Sequence, residues 1–99
     1  GNITNFTKEK LRRVEWTYMI AHEASFEQAK ETISSVLNSE ARIQTKNPIV
    51  IGLDQISEAG MQVKVRAWVK TPDFSSVYFD VNAAICVAFE KAQLSFAKA

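Results

Sequence analysis

From Met61 the chain alternates. Met61, Val63, Val65, Ala67 and Val69 form one set, and Gln62, Lys64, Arg66, Trp68 and Lys70 form the other. A period of two over ten residues predicts a strand with one face buried and one face wet. The pattern breaks at Thr71-Pro72-Asp73. Pro72 has no amide to give to a sheet, and Thr71 or Asp73 is suited to cap a helix start. Beyond it, over residues 73–92, Phe74, Val77, Tyr78, Val81, Ile85, Ala88, Phe89 and Ala92 recur at helical spacing. This stripe supplies a lid for the apolar face of the strand, with Phe89 expected beneath the face of Met61 to Val69.

The same signals recur upstream. Residues 12–23 alternate, with Val14, Trp16, Tyr18 and Ile20 as the inward set and Arg13, Glu15, Thr17, Met19 and Ala21 outward. Ser25-Phe26-Glu27-Gln28 matches a capping box, in which Ser25 accepts from the Gln28 amide. Glu27 suits the positive end of the helix that follows. That helix is expected to bury Phe26, Ala29, Ile33, Val36 and Leu37 and to stop between residues 38 and 40. Residues 41–47 read as a polar connection with one apolar anchor, Ile43. Residues 49–56 are mostly apolar and β-branched. Ser57-Glu58-Ala59-Gly60 reads as a turn, so 49–56 and Met61–Lys70 are expected to form a hairpin. Leu94 and Phe96 suggest the stub of a further strand. The order β-α-β-β-α(-β) predicts an α+β, ferredoxin-like split βαβ fold. Its helices lie on one face of a mainly antiparallel sheet, with 12–23 and 61–70 as the inner pair.

Size and charge narrow the function. A chain of 99 residues is one domain with a modest core. Its 12 basic and 11 acidic residues nearly cancel, which gives no electrostatic reason to expect nucleic acid as a partner. The single cysteine, Cys86, has no intrachain disulfide partner. No apolar run approaches the ~20 residues needed to span a bilayer.

Candidate chemistry is sparse. His22 is the only histidine, and a lone histidine at a strand end is more often a surface residue than a base or ligand. Cys86 lies beside the apolar stripe of the second helix and is expected to be half-buried and inert. Neither CxxC nor HxxxH occurs, and the three glycines are scattered, so no metal or phosphate motif is present. No cofactor is expected, and no catalysis. The carboxylates Glu27, Glu31, Asp54, Glu58, Asp73, Asp80 and Glu90 are assigned to turns and wet helix faces. Trp68 is the anomaly, because it belongs to the polar set of its strand. Two readings stay open: its ring covers the sheet by stacking on Arg66 or packing against the amino-terminal arm, or it anchors an interface with Lys64 and Arg66.

The chain resembles the cytoplasmic carboxy-terminal α/β domain of the small-conductance mechanosensitive channel (MscS) family. Four pieces carry the likeness. Ile3, Asn5 and Thr7 are similar to the exit from that family's middle β-domain. Arg12-Arg13-Val14-Glu15-Trp16 resembles the opening of its first α/β strand. Val65-Arg66-Ala67-Trp68-Val69 resembles its hydrophobic-Arg-hydrophobic-Trp strand. Val77-Tyr78-Phe79-Asp80-Val81, Phe89 and Leu94-Ser95-Phe96 resemble its second helix and the exit from it. The resemblance implies an arm or linker over residues 1–11 and the ferredoxin-like domain over 12–99. It also implies a non-catalytic subunit of a heptameric homo-oligomeric cage. The parent would sit in the bacterial inner membrane by segments outside this chain, with this domain on the cytoplasmic side. Lys64, Arg66 and Trp68 become candidate subunit contacts. Family members follow the Ser-Phe pair with prolines and a small end barrel. Here Ala97-Lys98-Ala99 follows instead, which leaves open whether the barrel was trimmed or this member lacks it.

Overall fold

Five elements follow one another in a computed structural model of the chain, which describes residues 10–98. They are β1 (Leu11–Ile20), α1 (Phe26–Asn38), β2 (Val50–Ile56), β3 (Met61–Lys70) and α2 (Phe74–Ala92). The strands form one antiparallel sheet in the order β1-β3-β2. The ferredoxin-like α+β expectation holds. Most of the arm expected over residues 1–11 lies outside the described residues.

The core follows the alternation. Val63, Val65, Ala67 and Val69 are wholly buried, as are Val14 and Ile20 from β1, with Trp16 only 1% exposed. Ala29, Ile33 and Leu37 of α1 and Val77, Val81, Ile85 and Phe89 of α2 close over them in a single cluster. Tyr18 is half-buried at the margin, where its hydroxyl donates to Asn82 Oδ1 at 2.7 Å and burial pushes its pKa above the usual phenol range. Burying apolar faces on both layers is what holds helices and sheet together.

The ends of the elements differ from expectation in instructive ways. β1 starts at Leu11 and stops at Ile20, not Glu23, level with the first residue of its partner β3, Met61; on its other edge Ala21 N–H donates to Ser95 O at 3.0 Å. Ser25 does cap α1, accepting from Gln28 N–H at 3.2 Å. Neither Thr71 nor Asp73 caps α2. Thr71 donates from both its amide and its hydroxyl to Lys10 O, at 3.0 and 2.9 Å, which ties the end of β3 to the start of β1. A single 3-10 turn, Thr71–Asp73, feeds straight into α2, so Asp73 is already helical and lacks the extended backbone that a capping side chain needs. At its far end α2 stops with Gln93 in the left-handed region (φ 58°), and Leu94 N–H folds back onto Phe89 O at 2.9 Å.

β3 has strand neighbours on both sides. The anticipated further strand shrinks to one bridge, Ile20 with Phe96, flanked by Ala97 N–H donating to Met19 O. With that bridge counted, β1 and β3 are the inner pair. On the opposite edge, β2 bulges between Leu53 and Gln55. Its hairpin end runs past the helix layer, leaving Leu53 and Ile56 exposed. Ile43 pairs with Val69 beyond the end of β2, as an apolar anchor should.

Gly60 closes the β2–β3 hairpin, and its importance is a matter of space. A Cβ there would lie 2.5 Å from Ile20 O and 3.0 Å from Ala97 Cβ. Both the β1 end and the segment after α2 would have to move. Gly60→Ala is therefore expected to destabilise the domain by about 1–3 kcal/mol, in the range of other overpacking changes. Urea denaturation checks this, and a loss below about 0.5 kcal/mol would mean that the neighbours yield freely.

Candidate interaction surface

The helix-free face of the sheet gathers the residues singled out above. Pairing of β1 with β3 sets Arg13 beside Trp68, Glu15 beside Arg66, Thr17 beside Lys64 and Met19 beside Gln62. From the other side β2 brings Val50 to Arg66 and Gly52 to Lys64. Lys64 Nζ donates to Thr17 Oγ1 at 3.1 Å. Glu15 Oε2 lies between the two cations, 3.6 Å from Lys64 Nζ and 3.5 Å from Arg66 Nε. These are half-exposed ion pairs, of a kind worth only about 0–1 kcal/mol each. They organise the face without locking it.

Trp68 is half-buried on this face, and its carbonyl accepts from Gln44 N–H at 2.8 Å. Arg66 turns toward Glu15. A cation–π contact does form nearby, but between Arg12 and the Phe74 ring at 3.9 Å. Lys64 and Arg66 are thus brought together with Glu15, while Trp68 stands one step further along β3 beside Arg13.

The remaining candidates fall elsewhere. His22 is exposed and donates from Nε2 to Ser57 O, which fastens the end of β1 to the hairpin turn. A carbonyl only accepts, so Nε2 carries the proton. His22 also borders a hollow of about 510 Å³ shared with Glu23, Glu58, Phe96 and Lys98. Cys86 is exposed rather than half-buried, because Ile85 takes the inward position and the next residue turns ~100° away from it. Among the described residues, no group of three or more His, Cys, Asp or Glu side chains converges as metal ligands.

One polar constellation escaped the sequence reading. Arg42, in the loop after α1, grips Glu40 through Nε (2.8 Å) and Nη2 (2.9 Å). The same guanidinium reaches α2, donating to Asp80 Oδ2 at 2.8 Å and to Ser76 Oγ at 3.1 Å. It clamps the loop onto the second helix. The Glu-x-Arg spacing was the only available signal, since Asp80 is 38 residues away in sequence. The Arg42 hydrogen bonds hold the Glu40 carboxyl below the usual glutamate range, against a smaller opposing effect of burial. A depressed folded-state pKa adds stability that is complete above the unfolded value and is lost as pH falls through the folded one. Glu40→Gln is accordingly expected to lose stability at about pH 6 and to show a shallower decline toward about pH 3 than the parent. Urea titrations across that range test it. Parallel pH curves for the two proteins would remove Glu40 from the acid response.

The family model described as "Mechanosensitive ion channel MscS, C-terminal" matches residues 14–96. An uncharacterised MscS family protein of Buchnera aphidicola subsp. Baizongia pistaciae is 29% identical over 92 residues, which is 93% of this chain and 31% of that protein. A small-conductance mechanosensitive channel of Edwardsiella ictaluri is 28% identical over 81 residues, covering 82% of this chain and 28% of its own length. The crystal structure of Helicobacter pylori MscS in its closed state superposes with a TM-score of 0.81 at 23% identity, over 90% of this chain and 36% of that one. The chain therefore spans about a third of the relatives it matches. Among the described residues no helix is long and apolar enough to cross a membrane. The chain belongs to the mechanosensitive ion channel MscS family, and what it carries is that family's carboxy-terminal domain.

Proposed function

We propose that this domain forms part of a homo-oligomeric cage on the cytoplasmic side of a mechanosensitive channel, heptameric by resemblance. The parent would conduct ions to relieve osmotic pressure across the bacterial inner membrane. The observation that carries this reading is the match of the MscS carboxy-terminal model to residues 14–96, a stretch that reaches from β1 through α2 to the Ile20–Phe96 bridge. The domain serves as scaffold and sieve, without catalysis. Residues 1–11 form the arm from a preceding middle β-domain, and Lys64, Arg66 and Trp68 are contacts to a neighbouring subunit or domain. An effector-binding regulatory domain is the competing reading, and it calls for a polar pocket between the helices. The gap between α1 and α2 is about 130 Å³ and is bordered by Glu40 and Asp80, both held by Arg42. That is well below the ~300–1,000 Å³ of ordinary ligand pockets.

The test is functional expression of the full-length parent in cells stripped of their own mechanosensitive channels. Survival of hypo-osmotic shock and pressure-gated current in membrane patches are expected. A parent without membrane-spanning segments, or one that assembles yet never conducts under tension, would overturn the proposal. The isolated 99-residue chain is expected to sediment as a monomer or weak dimer. A ring needs two complementary patches per subunit, each contact burying about 1,200–2,000 Å², and the sheet face offers one. A stable seven-fold species of this chain alone would show that the domain encodes the ring by itself.

A further inference from the structure

We infer that the outer edge of β2 pairs with the same edge of a second copy of this chain, antiparallel about a two-fold axis at Ile51. The contact joins two three-stranded sheets into one of six strands. β2 ends the strand order β1-β3-β2, so among the described residues it has a strand neighbour on one side only. Alternate residues along it therefore turn their N–H and C=O groups away from β3. A ring is closed by head-to-tail contacts, whereas a two-fold contact uses the same patch on both copies. The proposal thus goes beyond the cage reading and does not depend on it.

Edges that stay single carry lysines, prolines or bulges. Here Pro48 and the bulge between Leu53 and Gln55 stand at the two ends, and no charged residue lies from Ile49 to Leu53. The stretch between them, Ile49-Val50-Ile51-Gly52-Leu53, is an unguarded apolar edge. Ile51 lies opposite Val65 and Leu53 opposite Val63, both wholly buried, so these two side chains face the helix layer, and alternation places Ile49 with them. Val50 and Gly52 face the other way, opposite Arg66 and Lys64. Val50 is 44% exposed and Leu53 38%. An antiparallel copy centred on Ile51 sets Ile51 against itself, Ile49 against the partner's Leu53, and Gly52 against the partner's Val50. Every pair shares a face, and every pair is apolar. A Cβ at Gly52 would have no heavy atom within 4 Å, which leaves room for the partner's valine.

Helix α1 gives the added strand a wall. A groove of about 400 Å³ runs between α1 and the edge, lined by Lys30, Ser34 and Asn38 at four-residue spacing and by Ile49, Val50 and Ile51. The partner's Leu53, set beside Ile49, enters this groove. Charge selects the antiparallel arrangement. Lys30 and the exposed Lys46 stand at the head of the stretch, and Asp54 and the exposed Glu58 at its foot. Pairing head to foot carries the two lysines of each copy toward the two carboxylates of the other, whereas parallel pairing would set like charges together.

Sedimentation equilibrium of the 99-residue chain from ~10 μM to ~1 mM is the test, since a contact this short falls below the ~1,200 Å² of a stable interface and belongs in that affinity range. A reversible monomer–dimer equilibrium is expected, and hydrogen exchange at the amides of residues 49–53 should slow as the dimer fills. Leu53→Lys sets a cation in the groove beside the partner's Lys30 and should raise the dimer Kd about tenfold or more. Melting curves of the dilute chain show whether the variant still folds. Charge exchange leaves the apolar edge intact. Lys46→Glu and Glu58→Lys should each weaken the dimer severalfold, and the double variant should return its Kd to that of the parent. A chain that remains monomeric at ~1 mM would overturn the proposal, and slow exchange of the same amides at every concentration would assign the edge to the chain's own residues 1–9 instead. A dimer indifferent to a folded Leu53→Lys, or one that the double charge exchange fails to restore, would equally sink the pairing.

Discussion

Phe89→Ala is expected to remove about 3–5 kcal/mol of stability, the range for truncating a buried aromatic ring. Phe89 is 1% exposed and belongs to the single cluster that α2 shares with the sheet. Its ring also stacks on Phe96, with centroids 4.6 Å apart and planes within 4°. Alanine would leave a cavity beneath the sheet and loosen the segment that bridges to Ile20. A domain of this size holds only about 5–15 kcal/mol in total, so the variant should unfold at much lower urea. Lys91→Ala, on the exposed side of the same turn, should stay within about 0.5 kcal/mol. Phe96→Ala removes the stacking partner from a half-exposed position and should cost an intermediate amount. Equal losses for Phe89→Ala and Lys91→Ala would mean that the buried face of α2 has been misassigned.

Trp16→Ala should rank alongside it, again at about 3–5 kcal/mol. Trp16 is the largest fully buried side chain of the domain. Its indole Nε1–H donates to Tyr78 O in α2 at 3.1 Å, and the two rings lie nearly parallel with centroids 6.2 Å apart. The residue thus joins β1 to α2 by area and by one directional bond. Trp16→Phe separates these contributions. It keeps most of the apolar area and loses the hydrogen bond, whose net worth is about 0.5–1.5 kcal/mol, along with part of the fit. Circular dichroism is the appropriate probe, since fluorescence would change with the tryptophan itself. A Trp16→Phe loss as large as that of Trp16→Ala would place most of the energy in the hydrogen bond, contrary to expectation.

The candidate surface was half legible. Lys64 and Arg66 lie two residues apart on one strand, so alternation alone puts them on one face, and composition marks that face as wet. Glu15 joins them only because β1 pairs with β3 in one register. Val50 and Gly52 come beside Arg66 and Lys64 only with β2 in register as well. No periodicity within a single segment carries that information.

What the sequence determined by itself is local and one-sided. The bounds of β3, the start of α1 at its Ser25 cap, and the buried stripes of both helices follow from periods of two and 3.6, because burial on one face imprints those periods directly. What only the tertiary structure decided are the places where distant segments meet. β1 ends at Ile20 because its partner β3 begins opposite, at Met61. Thr71 abandons a capping role for Lys10. Arg42 reaches across to Asp80 and Ser76. Cys86 lies outside because Ile85 occupies the inward position. Gly60 must be glycine because the Ile20 carbonyl crowds it. In each case the deciding partner is remote along the chain, and only packing the helices onto the sheet brings it within a few ångströms.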